Sequence, residues 1–239
     1  MGEFEKLIQD IRHKLGFYTR NNERRFTNAA LLFAFNGTGK TRLSYEFAHQ
    51  GRDNGRHHTL YYNAFTEDLF TWHNDLDADA ERYMVINTDS ALIRGLAGYN
   101  YGEGVNSLLS TLVGFKAHFE THTRNEQGSP VPSGDDVPRE VWFSRTDAEG
   151  NDIEYIKISR GEERLFVWCM FRYIVDLVVS GDQNFRDIKY IYIDDPMSSL
   201  DDNNVILFAS QLFYASLNFS GYLHHRLPHL RMFWVLLEI

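Results

Sequence analysis

Ala29-Ala30-Leu31-Leu32-Phe33-Ala34-Phe35-Asn36-Gly37-Thr38-Gly39-Lys40-Thr41 is the stretch whose reading decides the fold. A short apolar run reads as a buried strand, breaks into a Gly-containing turn and passes through Lys-Thr into a helix-like stretch, Arg42 to His49. That is the layout of a phosphate-binding loop. Glycines let backbone N–H groups converge on an anion, and the helix N-terminus adds partial positive charge. Lys40 reaches the terminal phosphates and the Thr41 hydroxyl ligates Mg²⁺. Asn36, Gly37, Thr38, Gly39, Lys40 and Thr41 are therefore the candidate nucleotide-binding residues. Ala34 stands where such a loop normally opens with Gly, which requires a negative φ there. A Gly-rich turn with a chance Gly-Lys-Thr is the competing reading, and the rest of the chain decides between them.

At 239 residues the chain accommodates one large α/β domain or two small ones. Hydrophobic content of 43% and charged content of 24% are those of an ordinary globular protein. A net charge of −9 argues against a free-standing nucleic-acid binder, which needs clustered Lys and Arg; Arg20 to Arg25 is a small basic stretch that reads as a solvated loop. The single Cys169, inside the apolar run Leu165 to Met170, excludes an internal disulfide framework and reads as a buried, inert thiol. Neither a signal-peptide pattern nor a run of about 18 apolar residues is present, so the expected location is the cytoplasm, with no membrane partner.

Residues 1–28 read as an amphipathic helix and a loop: 1–20 have helical spacing, with Phe4, Leu7, Ile8, Ile11 and Leu15 on one face and Gly16 as a stop, and Asn21 to Thr27 is polar and loop-like. Thr59 to Asn63 reads as a strand, and the acidic stretch Glu67 to Glu81 as a solvated helix and loop. Leu108 to Phe119 looks helical, and Arg124 to Pro138 is the clearest flexible loop. Glu140 to Ser144 and Ile153 to Ile158, flanking Asp147-Ala148-Glu149-Gly150-Asn151, predict a hairpin, so part of the sheet is antiparallel. Glu162 to Val179 is a strong helix, Ile188 to Ile193 a buried strand and Asp202 to Leu217 a further helix.

A second motif, Tyr190-Ile191-Tyr192-Ile193-Asp194-Asp195-Pro196, is a buried strand ending in acidic residues. Nucleotide-binding domains place a carboxylate beside Mg²⁺ in this way: Asp194 fits the metal side, and Asp195 the position that orients the attacking water. Asp195 is one methylene shorter than the Glu usual there, which implies slow hydrolysis. Read alone, the motif is equally a strand followed by an acidic turn. A third motif, Ile158-Ser159-Arg160-Gly161-Glu162-Glu163, opens a helix, and Ser159 with Glu162 three residues on is also a capping box.

The order of phosphate loop, Ser159 motif, acidic strand and then Ser198-Ser199-Leu200-Asp201 resembles the ABC-type ATPases. That resemblance implies an α/β fold, an ABC-type P-loop NTPase head with a mixed parallel and antiparallel sheet, spanning 29–217. It also implies that Ser159 and Gly161 complete the site of a second subunit and that Asp201 lies in the inter-subunit loop. Asn63 is a candidate metal-side residue near the position of the Q-loop Gln. The partner implied is another copy, in a head-to-tail homodimer or higher oligomer.

A narrower resemblance rests on 33–44, on Leu60-Tyr61-Tyr62-Asn63-Ala64-Phe65-Thr66-Glu67-Asp68-Leu69-Phe70, on the Ser159 motif and on 193–203. These blocks look like the N-terminal ATPase portion of the PrrC-type bacterial anticodon nucleases, from about residue 29 to about residue 210. The second block is the most telling, because general ATPase chemistry does not demand that string. The resemblance implies an ATP- or GTP-binding, Mg²⁺-dependent switch of an antiphage toxin held beside a type I restriction-modification enzyme. tRNA is a partner only where a nuclease domain is supplied. Residues 218–239 depart from the pattern and read as an atypical tail. There His224 could occupy a γ-phosphate switch position or belong to an unrelated His-rich segment. The expectation is a truncated or frame-altered member that keeps the nucleotide-binding module. The alternatives are an SMC- or Rad50-like DNA-repair ATPase head, disfavoured because 51–157 lacks heptads, and a degenerate nucleotide-binding interaction module without turnover.

Overall fold

A computed structural model describes residues 3–14, 16–20, 23–27, 29–32, 38–49, 52–53, 56–63, 69–74, 81–125, 128–194 and 231–235. In chain order the first elements are α1 (Glu3–Lys14), β1 (Gly16–Arg20), β2 (Glu23–Thr27), β3 (Ala29–Leu32), α2 (Lys40–His49), β4 (Arg52–Asp53), β5 (Arg56–His57) and β6 (Thr59–Asn63). Then come β7 (Phe70–Asn74), β8 (Arg82–Ile86), α3 (Ala91–Arg94), α4 (Tyr101–Leu109), β9 (Lys116–Glu120), β10 (Thr123–Arg124), β11 (Pro130–Val131), β12 (Glu140–Thr146) and β13 (Asp152–Ile153). The last are α5 (Arg160–Ser180), β14 (Tyr190–Asp194) and β15 (Arg231–Val235). The result is a mixed helix and sheet fold with both parallel and antiparallel sheets. The chain divides into two compact units, residues 1–64 with 175–239, and residues 65–174.

In the first unit a parallel sheet runs in the order β3-β15-β14-β6. From Ile191 to Asp194, β14 is buried at every position, as expected of a parallel strand covered on both faces. Helix α1 forms on the predicted spacing: Ile8 and Ile11 are buried, while Leu7 is 39% exposed. They meet Leu43 and Phe47 of α2 (one helical turn apart, so on one face) and Tyr192 of the sheet in a single core cluster. The Arg12 guanidinium lies 4.7 Å from the Phe47 ring centroid and donates to the Phe47 carbonyl at 2.8 Å. A cation thus caps the last turn of α2, where the helix dipole favours it.

In the second unit β12 is the hub of an antiparallel sheet, pairing with β8, β9 and β13 while β7 pairs with β8. Phe70, Phe115, Phe143 and Phe166 form its aromatic core, with Phe143 and Phe166 at 5.1 Å. The hairpin predicted around 147–151 is present as β12 and β13, but its second arm, expected over 153–158, is a strand only at Asp152–Ile153.

Four other local readings differ from the structure. Part of the loop expected at 21–27 is β2, paired with β1 in a register that sets Arg20 opposite Glu23. Its polar sequence carries no apolar run to mark it. The acidic stretch 67–81 contains β7, where Phe70 is buried, Trp72 half-buried, and Thr71 and His73 exposed. That is a period of two, which the surrounding carboxylates obscure. The helix expected at 108–119 is instead the end of α4 followed by β9, with Thr111, Val113 and Gly114 between them, poor helix formers all. Within 218–239, Arg231–Val235 is the strand between β3 and β14. Residues 202–217, expected as a helix, lie outside the described residues. In 124–138 the short β10 and β11 pair, and Arg124 bonds Glu140 at 2.8 Å and Glu81 at 3.2 Å.

Because Phe47 is fully buried at the junction of α1, α2 and β14, Phe47→Ala should destabilise the chain by about 3–5 kcal/mol in urea unfolding. Leu7→Ala on the same packed helix pair should stay within about 0.5 kcal/mol.

Candidate functional site

Parallel pairing aligns the carboxyl ends of all four strands in the first unit. Leu32 is opposite Val235, Val235 opposite Asp194, and Asp194 opposite Asn63. The phosphate-loop sequence leaves this row after Leu32. Asn36 and Gly37 lie outside the described residues; Thr38 is exposed, and Gly39 leads directly into α2. The Leu43 amide donates to the Gly39 carbonyl at 2.9 Å, the first bond of the helix. The amides of Lys40 and Thr41 thus fall in the first turn, where no intrahelical acceptor exists for them. Gly39 has φ +93°, a left-handed conformation that side chains resist. A Cβ there would also stand 2.8 Å from the Phe4 ring. The Arg42 guanidinium lies over the same ring at 5.2 Å and pairs with Glu46 at 3.0 Å.

Asp194 closes the row as a buried carboxylate, 4% exposed. Its Oδ2 accepts a hydrogen bond from the Tyr61 hydroxyl at 2.9 Å, and that hydroxyl lies 3.2 Å from Oγ of the fully buried Ser44 on α2. Burial, followed by the Asp194 charge and Tyr61, pushes the Tyr192 phenol well above its ordinary range, so it stays neutral beside the carboxylate. Among the described residues no three His, Cys, Asp or Glu side chains gather to hold a metal unaided. A single buried carboxylate among the described residues of this row fits magnesium, which is held by one or two carboxylates together with substrate phosphates and water. Thr41 lies in the first turn of α2 and Asn63 at the end of β6, level with Asp194.

Ser159 and Gly161 belong to the second unit, at the start of α5. The predicted capping box forms: Glu162 accepts from the Ser159 amide at 2.8 Å, and the Glu162 amide donates to Ser159 Oγ at 3.3 Å. Arg145 pairs with Glu162 at 2.6 Å, and Trp72 Nε1 donates to Glu163 at 2.9 Å. Burial alone would raise the Glu162 pKa, but the bonds to Ser159 and the Arg145 charge outweigh it and hold the carboxyl below its ordinary range. Cys169 is buried and its thiol is pushed up to about 12, in keeping with an inert role.

Asp195, Asp201 and His224 lie outside the described residues. Tyr61 and Ser44 stood inside quoted blocks without a role. The contact that gives them one joins residues 133 and 17 positions apart in the chain.

The combination of a parallel sheet, a positive-φ Gly39 at a helix start and a buried carboxylate at the strand ends defines the class: a chain of mixed helix and sheet with a parallel α/β unit. Its sequence is 36% identical over 210 residues to the anticodon nuclease of Escherichia coli, covering 76% of this chain and half of that protein. The chain is thus a sequence relative of that anticodon nuclease and spans about half its length. No family model matches it. Among solved structures it is similar to the Smc head domain with a coiled coil and joint derived from Pyrococcus yayanosii, at 17% identity and a TM-score of 0.31. That match covers 57% of this chain and 21% of the other, and a likeness at that level carries no weight. Among the described residues no helix is long and apolar enough to cross a membrane.

Gly39→Ala should lower the urea midpoint by the equivalent of about 1 kcal/mol or more, since both the φ and the Phe4 contact oppose it. For Glu162 the lowered folded pKa means that its stabilisation is fully present above the ordinary carboxylate pKa and is lost as the pH falls through the lowered one. Glu162→Gln should therefore flatten the acid limb of the stability profile, seen by thermal melts across mildly acidic pH.

Proposed function

We propose that the chain is an ABC-type, magnesium-dependent nucleotide-binding module that hydrolyses ATP or GTP slowly. The observation that carries the reading is the single row formed by Leu32, Val235, Asp194 and Asn63. The phosphate-loop sequence departs from one end of it, and a buried carboxylate stands further along. Ligands of open α/β sheets bind outside such carboxyl ends.

In this reading Lys40 and the amides of 36–41 hold the triphosphate, and Thr41 and Asp194 hold the metal with Asn63 nearby. The metal would neutralise charge on the phosphates. Asp195 orients the attacking water. Ser159 and Gly161 of one copy complete the site of a second, to which Asp201 contributes; His224 comes before β15 in the chain, so this reading gives it no role at the carboxyl ends of the strands. Two sites are shared by a head-to-tail dimer. In this reading the module is the regulatory part of a cytoplasmic antiphage system, beside a type I restriction-modification complex; what the similarity to anticodon nuclease supports is the kinship with that enzyme alone. We assign tRNA cleavage to a nuclease domain and not to this module.

Purified chain should hydrolyse ATP or GTP only with Mg²⁺, with specific activity rising with protein concentration. Lys40→Ala should lower turnover by about 10²-fold or more, and Ser159→Arg should abolish the concentration dependence. Nucleotide binding unchanged by Lys40→Ala would overturn the reading.

A further inference from the structure

The block around 60–70 set this chain apart by sequence, yet the phosphate chemistry uses none of it except Asn63. We infer that Tyr61 is a positioning residue for the metal: its hydroxyl fixes the Asp194 carboxylate and ties it to the phosphate-loop helix through Ser44. This rests on the nucleotide-binding reading above and assigns a function to a residue that reading leaves idle.

The side chains of Tyr61, on β6, and Asp194, on β14, share the face of the sheet against which α2 packs. Tyr61 is level with Tyr192 in the parallel register, and their rings are 5.6 Å apart. The aromatic ring therefore fills core space that a phenylalanine would fill equally well. What distinguishes tyrosine is the hydroxyl, which has one hydrogen to donate. An ionised carboxylate only accepts, so that hydrogen goes to Asp194 Oδ2 at 2.9 Å. The same hydroxyl also lies 3.2 Å from Ser44 Oγ, which holds the tyrosine against α2. The relay runs from Ser44 to Tyr61 to Asp194, from a residue one turn beyond Lys40 on α2 to the carboxylate at the strand end.

Two consequences follow for a hydrated magnesium. Tyr61 takes one carboxylate oxygen and so fixes the rotation of the group, while Oδ1 receives no hydrogen bond from any described residue and would be the oxygen left to hold the metal or a water on it. Moreover, the carboxylate is registered to the helix that carries the phosphate-binding lysine, so metal and phosphate sites move together. Partners of this kind, one step removed from a metal, typically alter metal affinity by about 10- to 100-fold when removed.

The test is Tyr61→Phe, which keeps the ring and deletes the hydroxyl. A fluorescent ATP analogue is titrated onto wild type and variant, first in EDTA and then over a range of Mg²⁺ concentrations. Tyr61→Phe should melt cooperatively, bind the analogue in EDTA as wild type does, and need about tenfold more Mg²⁺ to reach half of the metal-dependent gain in affinity. Ser44→Ala, which removes the far arm, should shift the Mg²⁺ requirement the same way by less. An unchanged Mg²⁺ requirement in Tyr61→Phe, with wild type responding to Mg²⁺, would overturn this inference and leave the nucleotide reading standing. Loss of cooperative melting in Tyr61→Phe would make the hydroxyl a structural element and overturn it too. Wild type that binds no nucleotide would remove both.

Discussion

Parallel pairing on both sides of β14 is the constraint on which the rest of the first unit depends. It forces the ends of β3, β15, β14 and β6 to one edge and sets Asp194 level with the residue after which the phosphate-loop sequence begins. Side chains alternate along a strand, so a slip of one residue would send the Asp194 carboxylate to the opposite face. The register is held by burial: Ile191, Tyr192 and Ile193 are each 2% exposed or less, and the two faces cannot be exchanged without displacing Tyr192 from the cluster of Ile8, Ile11, Leu43 and Phe47. A carboxylate at the end of such a strand loses its water, which opposes folding unless it finds donors. Tyr61 is the donor among the described residues.

The parts of this arrangement that were legible in the sequence are those with strong local signals. The Gly-Lys-Thr turn, the aromatic and β-branched run ending at Asp194, the long helix after Ser159 and the hairpin at 147–151 each carry their own periodicity or turn chemistry. Two of the strands that were missed have polar or mixed surroundings: β2 is Glu-Arg-Arg-Phe-Thr, and β7 is embedded among carboxylates. β15, Arg-Met-Phe-Trp-Val, is apolar but follows a segment rich in His with Pro228, and its partners β3 and β14 lie far away in sequence, so its place in the sheet has no local signal. The candidate site divides the same way. Gly39, Lys40 and Asp194 are recognisable because their neighbours in sequence are part of the motif, whereas Tyr61 and Ser44 acquire meaning only when β6, β14 and α2 are brought together.

Helix α1 has a larger part than an amphipathic edge helix would suggest. A ten-residue helix such as α2 is marginal in isolation, because the nucleation cost is spread over few hydrogen bonds. Its persistence requires a packed face, and α1 supplies half of it through Ile8 and Ile11, with Phe4 against Gly39 at one end and Arg12 on the Phe47 ring and carbonyl at the other. The left-handed turn at Gly39 is thus backed by an aromatic ring.

The capping box at α5 looks at first like a rival to a role for Ser159 in binding phosphate, but the two uses draw on different parts of the hydroxyl. As a cap, Oγ accepts from the Glu162 amide with one lone pair, and its hydrogen remains available to a second acceptor. The harder condition is charge. Glu162 and Glu163 both stand in the first turn, where they satisfy the helix dipole and would repel a phosphate. Arg145 at 2.6 Å from Glu162 offsets one of these charges, and Trp72 donates to the other without neutralising it. Any γ-phosphate brought to this helix would therefore meet a site whose favourable donors are Ser159 and the first-turn amides and whose charge balance is set by Arg145. The strength of a shared site would then depend on Arg145 as much as on the serine that the motif highlights.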